Sequence, residues 1–150
     1  MKTPTQSSTH TCISNLNSFL VGEISAVETY NQALRHLAKE PLSDLIENRD
    51  CHIGRVNLLR SKIIELGGVP ETTSGAWGGF VRLVEKGASL ISTKTVIAAL
   101  EQGEDRGLAD YRDTDDLDDE SRMMVEADLL PAQERTHKRM SNLQRTQKSA

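Results

Sequence analysis

The sequence predicts one all-α domain, a four-helix bundle. Of the 150 residues, 37% are hydrophobic but only 3% are aromatic. Aliphatic cores with few aromatic residues favour helix-on-helix packing over a β-sandwich. Apolar residues recur at intervals of three and four in four stretches, which is the spacing of one helix face. Glycine, proline or acidic clusters separate these stretches, and the length suits a single domain with a substantial core.

The first helix is predicted over about residues 13–38, after a polar N-terminal tail. Residues 1–11 are rich in Thr, Ser and Gln and are expected to be disordered. The bundle is expected to occupy residues 12–146, followed by a C-terminal tail at 147–150. The apolar face of the first helix is formed by Ile13, Leu16, Leu20, Ile24, Val27 and Leu34.

The second helix is predicted over about residues 42–66, where a glycine and proline run ends it. Residues 67–93 then form a long connection that contains a glycine-rich loop around Trp77, expected to cover one bundle end or a dimer contact. A connection of this length is uncommon inside a compact domain and calls for a structural explanation. A crossover between two parallel helices would supply one, because the chain must travel the length of the bundle. The alternative is a short separate helix docked in a simple helical array.

The third helix is predicted over about residues 94–111. The acidic stretch 113–120 is expected to form a turn whose carboxylates stabilise the positive N-terminal end of the fourth helix. The fourth helix is predicted to end at about residue 144. Pro131 lies inside it and is expected to kink or split it.

Two glutamates interrupt the apolar faces of the first and third helices. Glu23 and Glu104 each follow a glycine and precede a tyrosine, Tyr30 or Tyr111, by seven residues. Seven residues are about two helical turns, so each Glu and its Tyr share one face. A buried carboxylate is costly unless it is paired, protonated or bound to a metal.

Histidines on the other two helices suggest what these glutamates face. Glu134 and His137 are three residues apart and lie on adjacent turns of one face. A Glu from each of two helices, with Glu-x-x-His from each of the other two, holds two iron or manganese ions in carboxylate-bridged bundles. The sequence offers five of these six ligands, and Arg49 stands where the sixth, a glutamate, is needed. The candidate metal ligands are Glu23, His52, Glu104, Glu134 and His137.

The first-helix motif Gly22-Glu23-x-x-Ala26-x-x-x-Tyr30 resembles that of the rubrerythrin branch of the ferritin-like superfamily. The stretch from about Ile13 to Leu143 resembles a bacterial ferritin-like group classed as a domain of unknown function. This resemblance implies a ferritin-like four-helix bundle, with a long crossover between the second and third helices and an ancestral di-metal site. Its most specific points are Gly67-Gly68-x-Pro70, Ser74-Gly75-x-Trp77-Gly78 and Leu100-x-x-Gly103-Glu104.

Two functions follow from these residues. In one, the protein binds iron or manganese and oxidises iron(II) or reduces oxygen or peroxide. In the other, which we favour, the site is degenerate and binds no metal. Arg49 then pairs with Glu23 or Glu134, Tyr30 and Tyr111 pack beside the site, and the protein has a stress-related or self-associating structural role.

The composition of the chain argues against two classes of binding partner, nucleic acids and membranes. The formal net charge of -4 disfavours nucleic-acid binding, which needs a basic face. No apolar run approaches the roughly 20 residues of a membrane span, and the N-terminal stretch lacks the apolar core of a signal peptide. Cys12 and Cys51 are expected to be free thiols in a reducing cytoplasm. We therefore expect a cytoplasmic homo-oligomer, such as a dimer, without nucleic-acid or membrane partners.

Overall fold

The computed structural model describes residues 5–37, 42–74 and 92–149, and within these ranges it contains helices, turns and loops but no strand. The predicted all-α class is therefore confirmed. None of the described helices is long and apolar enough to cross a membrane. The helical segments are α1 (Gln6–His36), α2 (Leu42–Glu65), α3 (Thr93–Arg112), α4 (Asp119–Met124), a π turn (Val125–Leu129) and α5 (Leu130–Ser149).

The first and last helices extend into the predicted tails. α1 begins at Gln6, inside the stretch 1–11 that we expected to be disordered, and α5 runs to Ser149. The Thr5 side chain accepts a hydrogen bond from the Ser8 backbone N–H at 3.3 Å, so it caps the start of α1. Thr and Ser are common in disordered segments but are also preferred helix caps, and composition alone did not separate the two.

The first two helices pack antiparallel. The Arg49 guanidinium on α2 donates to the Asn31 side chain on α1 at 3.4 Å. At the other end of this hairpin, Asn17 donates to the backbone carbonyl of Val69, just beyond α2, at 3.1 Å. The residue numbers therefore rise along α1 as they fall along α2.

α3 and α5 form a second antiparallel hairpin. Thr136 donates to the Glu104 carboxylate at 2.7 Å, and Ser141 donates to the Glu101 carboxylate at 3.3 Å. Along α3 the numbers fall as they rise along α5, so this hairpin repeats the arrangement of α1 and α2.

The two hairpins dock with α1 antiparallel to α3. Tyr30 of α1 contacts Glu104 of α3, and Tyr111 of α3 contacts Glu23 of α1. Since α2 and α3 are both antiparallel to α1, they run parallel to each other. The connection between them must therefore join opposite ends of the helical array, as a crossover does. Most of this connection, residues 75–91 with the Trp77 loop, lies outside the described residues.

Two apolar clusters fill the interior at either end. One combines Cys12, Leu16 and Leu20 with the C-terminal half of α2 and with the π turn, and the other joins Tyr30 and Ala33 to the start of α2 and α3. Between the clusters lies a polar layer of buried side chains. Its members with exposures of 4% or less include Glu23, Asn48, His52, Arg55, Glu104, Gln133 and Thr136.

A π turn interrupts the α-helical hydrogen bonding of the fourth predicted helix just before Pro131. Proline has no backbone N–H, and its ring clashes with the carbonyl four residues earlier in a regular α-helix. The π turn ends two residues before Pro131, and the Leu130 N–H donates to the Val125 carbonyl five residues back. A π turn carries an additional residue per turn, so it changes the phase of α5 relative to α4.

Candidate functional site

The centre of the polar layer is His52, which is 2% exposed. Its Nδ1 lies 2.5 Å from Glu23 Oε2, and its Nε2 lies 2.7 Å from Glu104 Oε1. An ionised carboxylate only accepts hydrogen bonds, and a neutral imidazole has a single N–H to donate. With both carboxyls ionised, both contacts are hydrogen bonds only when the ring is protonated. The protonated Nε2 then lies 3.3 Å from the Arg55 Nη2, a like-charge contact that the two carboxylates offset. His52 is therefore an imidazolium that bridges two buried carboxylates.

Arg55 supplies a second buried cation one turn further along α2. Its Nη1 lies 3.2 Å from Glu23 Oε1 and also donates to the Gln133 amide oxygen. Its Nη2 donates to Thr136 Oγ1 at 3.0 Å. With Glu23 and Glu104 ionised and His52 and Arg55 charged, the cluster carries two negative and two positive charges and is neutral as a whole.

Glu104 is fully hydrogen-bonded. Its Oε1 accepts from Tyr30 at 2.6 Å as well as from His52. Its Oε2 accepts from the Gln133 amide at 2.8 Å and from the Thr136 hydroxyl at 2.7 Å. Four donors on one carboxylate compensate for the water that it loses on burial.

The two tyrosines exchange partners between helices. Tyr30 of α1 donates to Glu104 of α3, and Tyr111 of α3 donates to Glu23 of α1 at 2.5 Å. The exchange follows from the repeated Glu and Tyr spacing of seven residues on two antiparallel helices. The sequence repeat thus becomes an approximate two-fold relation between α1 and α3, with each tyrosine completing the carboxylate of the other helix.

These contacts fix the protonation states of the cluster. Burial disfavours the charged His52, but the carboxylates of Glu104 and Glu23 outweigh it and raise its pKa from 6.5 to about 9. Burial also acts to raise the pKa of both carboxyls, but it is outweighed by the His52 imidazolium and, at Glu23, by Arg55, and both pKa values are lowered. At neutral pH all four groups are therefore charged.

The chain matches no protein-family model. No curated protein and no solved structure is significantly similar to it either. The geometry of the cluster is therefore the basis for a functional assignment.

A second set of contacts links the cluster to the surface. The Asn48 amide donates to the Tyr30 hydroxyl at 2.9 Å and to the Thr136 carbonyl at 3.1 Å. Its oxygen accepts from Arg139 at 2.6 Å, and Arg139 also pairs with Glu47 at 2.7 Å near the surface. Asn48 thereby holds Tyr30 in place for Glu104.

Two of the five predicted ligands lie away from the cluster, so the predicted convergence is wrong for Glu134 and His137. Glu134 is exposed, and His137 is half-buried with Nε2 3.4 Å from Glu101 and 3.5 Å from Asp105. Gln133 and Thr136, each one residue earlier, occupy the inward positions. Neighbouring residues on a helix point about 100° apart, so a shift of one residue exchanges the inward and outward positions. The apolar residue Met140 lies close to both the face of Gln133 and Thr136 and the face of Glu134 and His137, so it did not distinguish them. The Glu-x-x-His spacing favoured the outer one.

Arg49 also lies away from the cluster, contrary to its predicted blocking role. Its guanidinium is paired with Asp50 at 3.1 Å on the outer side of α2, where its side chain is 29% exposed. Arg55 occupies the interior instead. The sequence contained a pattern that indicates the interior position of Arg55. Asn48, His52 and Arg55 follow one another at spacings of four and three, as residues on one helix face do.

The cluster does not fit the dinuclear metal centre that the resemblance implies. That centre needs four carboxylates and two imidazoles, whereas the interior here offers Glu23, Glu104 and His52. Both ring nitrogens of His52 are already hydrogen-bonded, and Arg55 adds a fixed positive charge. Within residues 5–37, 42–74 and 92–149, no group of three or more His, Cys, Asp or Glu side chains is arranged to hold a metal ion.

A small pocket reaches the cluster through the seam between α1 and α3. Its volume is about 30 Å³, enough for one water molecule. Three glycines line it together with Glu23 and His52: Gly22, Gly103 and Gly107.

Proposed function

We propose that this chain is a ferritin-like four-helix bundle that works without a metal, as a self-associating structural protein. The observation that carries the proposal is the neutral cluster in which His52 and Arg55 balance Glu23 and Glu104. The two cations belong to the protein itself and neutralise the two carboxylates without a metal ion.

The chemistry of the cluster supports a metal-free interior. A divalent ion bound by Glu23 and His52 requires a neutral imidazole, so His52 would have to lose the proton that its two carboxylates stabilise. The ion would also lie close to the Arg55 guanidinium, which cannot be deprotonated in a protein. Both costs act against binding, whereas the existing contacts satisfy both carboxylates.

The topology and the residue positions support the ferritin-like ancestry. α1 and α3 each contribute one glutamate from the same Gly-Glu motif, at levels related by the two-fold exchange of Tyr30 and Tyr111. α2 and α5 each contribute two buried polar residues to the same layer, His52 with Arg55 and Gln133 with Thr136.

Metal analysis of the protein, purified without a chelating tag, tests the proposal. We expect less than one equivalent of iron or manganese per chain, and no change in the thermal unfolding midpoint when EDTA is added. Anaerobic calorimetric titration with iron(II) and with manganese(II) should show no tight binding. A midpoint that falls with EDTA, or two tight equivalents, would contradict a metal-free function.

The second candidate is an iron- or manganese-binding protein with iron-oxidising or peroxide-reducing activity. The meeting of Glu23, His52 and Glu104 in one buried layer favours it, because carboxylates and imidazole are ligands of these metals. A single tight equivalent whose binding weakens in acid, as His52 competes for protons, would support this candidate.

A further inference from the structure

A fixed acidic turn projects from one end of the bundle, between α3 and α4. The Leu117 backbone N–H donates to the Thr114 carbonyl at 3.2 Å and closes a turn with Asp115 and Asp116 in its middle. The Arg122 guanidinium donates to the Thr114 carbonyl at 3.4 Å and to the Leu117 carbonyl at 3.1 Å. The Leu117 side chain is itself buried in the apolar core. Asp115 and Asp116 therefore stand at the tip of a turn that is held in place from behind.

The charge of this tip is not neutralised by its own chain. Asp115 and Asp116 are both exposed, and the side chain of neither forms an ion pair or a hydrogen bond with the residues that the structure describes. Glu120, further along the same acidic stretch, pairs with Lys62 at 3.0 Å. The tip thus presents two adjacent negative charges to solvent.

A cationic groove lies between the start of α2 and α5. Its volume is about 420 Å³, and its wall contains Arg135, Lys138 and Arg139 together with one carboxylate, that of Asp44. Arg139 is paired with Asp44 at 3.7 Å and with Glu47 at 2.7 Å. Arg135 and Lys138 are exposed, and among the described side chains neither has an ion-pair partner. Two cations of the groove are therefore available to a ligand with negative charges.

The turn and the groove of one chain lie too far apart to meet. Asp44 is in the first turn of α2, so the groove adjoins the N-terminal end of that helix. The acidic turn follows the C-terminal end of α3, which runs parallel to α2. Arg139 is 20 residues beyond Asp119, the first residue of α4, which corresponds to about 30 Å of helix. Only the turn of a second copy can therefore reach the groove.

We propose that the chain self-associates head to tail, with the tip of one copy, Asp115 and Asp116, seated against Arg135 and Lys138 in the groove of the next. This contact rests on the self-association proposed above and specifies its surfaces. The turn is already ordered, so its carboxylates lose little conformational freedom on binding. A contact between two different surfaces leaves an open groove at one end of the assembly and an open turn at the other, so the assembly grows as a row or closes into a ring.

The salt dependence of assembly tests the charged contact. The distance over which exposed charges interact falls from about 10 Å at about 0.1 M salt to about 3 Å at about 1 M. In sedimentation velocity at the lower salt, we expect the mean mass of the native protein to rise with protein concentration. Association should be weaker by roughly tenfold or more at the higher salt. Assembly that does not respond to salt would overturn the proposal.

Two neutral variants test the pairing of the surfaces. Arg135→Gln/Lys138→Gln removes the groove cations, and Asp115→Asn/Asp116→Asn removes the tip carboxylates with residues that still favour a turn. Each variant alone should be monomeric with unchanged helical circular dichroism. An equimolar mixture should form a one-to-one dimer and no larger species, because only one intact groove and one intact turn remain to pair.

Two control variants remove the same number of charges elsewhere. Arg60→Gln/Arg106→Gln and Glu126→Gln/Asp128→Asn change residues that line neither the groove nor the turn. Both should assemble as the native protein does. Loss of assembly in either control would show that net charge, and not this contact, governs association, and would overturn the proposal.

The outcomes separate the contact from the function on which it rests. A native assembly that both neutral variants retain, or a mixture of them that stays monomeric, would overturn the head-to-tail contact but leave self-association standing. A native protein that is monomeric at every concentration would overturn both. The metal analysis decides separately whether the interior works without a metal.

Discussion

At the scale of single residues, two arginines six positions apart on α2 have opposite roles. Arg55 is 3% exposed and balances Glu23 inside the bundle, whereas Arg49 pairs with Asp50 at the surface. Removing one partner of a buried ion pair costs about 3–5 kcal/mol, because the other charge is left uncompensated. Losing an exposed pair costs at most about 1 kcal/mol.

Arg55→Glu and Arg49→Glu form a matched pair of variants. We expect Arg55→Glu to lower the free energy of unfolding by about 3–5 kcal/mol, since it replaces a buried cation by a third carboxylate. Added manganese(II) should then raise the unfolding midpoint of this variant, because three carboxylates face His52. Arg49→Glu should change stability by no more than about 1 kcal/mol and should not respond to manganese(II). Equal behaviour of the two variants in urea unfolding would refute the distinction.

At the scale of helices, two glycines inside helices differ in what surrounds them. Gly22 in α1 lines the seam pocket, and a Cβ added there would meet nothing within 4 Å. A Cβ added at Gly107 in α3 would lie 2.6 Å from Gln133 Nε2. That amide donates to the Glu104 backbone carbonyl at 2.7 Å and to its carboxylate. Gly107 therefore allows Gln133 to reach Glu104.

Gly22→Ala should stabilise the protein by about 1 kcal/mol, the difference in helix propensity between the two residues. Gly107→Ala gains the same propensity but must displace Gln133 from Glu104, so we expect a net loss of stability. Thermal unfolding of both variants measures the contrast. A stabilising Gly107→Ala would show that Gln133 can move without cost to the cluster.

The sequence predicted where the helices lie more reliably than which face of each helix points inward. The apolar spacing located α1, α2 and α3, and the interruptions at Glu23 and Glu104 correctly marked buried carboxylates. The face of α5 was misassigned because Glu134 and His137 offered a familiar pattern one residue from the true inward positions. The π turn before Pro131 sets that phase through a backbone hydrogen bond, and no single residue type signals it. His52 was identified, but its two hydrogen bonds depend on three helices meeting.

At the scale of the whole molecule, the cluster makes stability depend on pH. The folded-state pKa of His52 is about 9, above its usual 6.5, so its contribution is complete below pH 6.5 and is lost as the pH rises through about 9. Glu23 and Glu104 have pKa values below their usual 4.5, so their contribution is present above pH 4.5 and is lost as the pH falls through their folded-state values. The cluster is therefore most stabilising between about pH 4.5 and 6.5.

Urea unfolding from pH 6 to pH 10 should show the alkaline decline. At about 1.4 kcal/mol per pH unit, titration of His52 between 6.5 and about 9 corresponds to on the order of 3 kcal/mol. His52→Gln should be less stable at pH 6 and should lack most of this decline. His137→Gln, which alters a half-buried histidine outside the cluster, should retain it. A native profile that is flat up to pH 10 would contradict a protonated, bridging His52.

The distribution of charge between the two hairpins has a consequence for how the chain folds. The hairpin of α1 and α2 contributes Glu23, His52 and Arg55 to the interior, a net charge of +1, whereas the hairpin of α3 and α5 contributes Glu104, a net charge of -1. Neither hairpin can bury its share alone without an uncompensated charge. Neutrality is reached only when the hairpins dock, and the tyrosine exchange is completed in the same step. The cooperative folding unit is therefore expected to be the whole molecule rather than either hairpin.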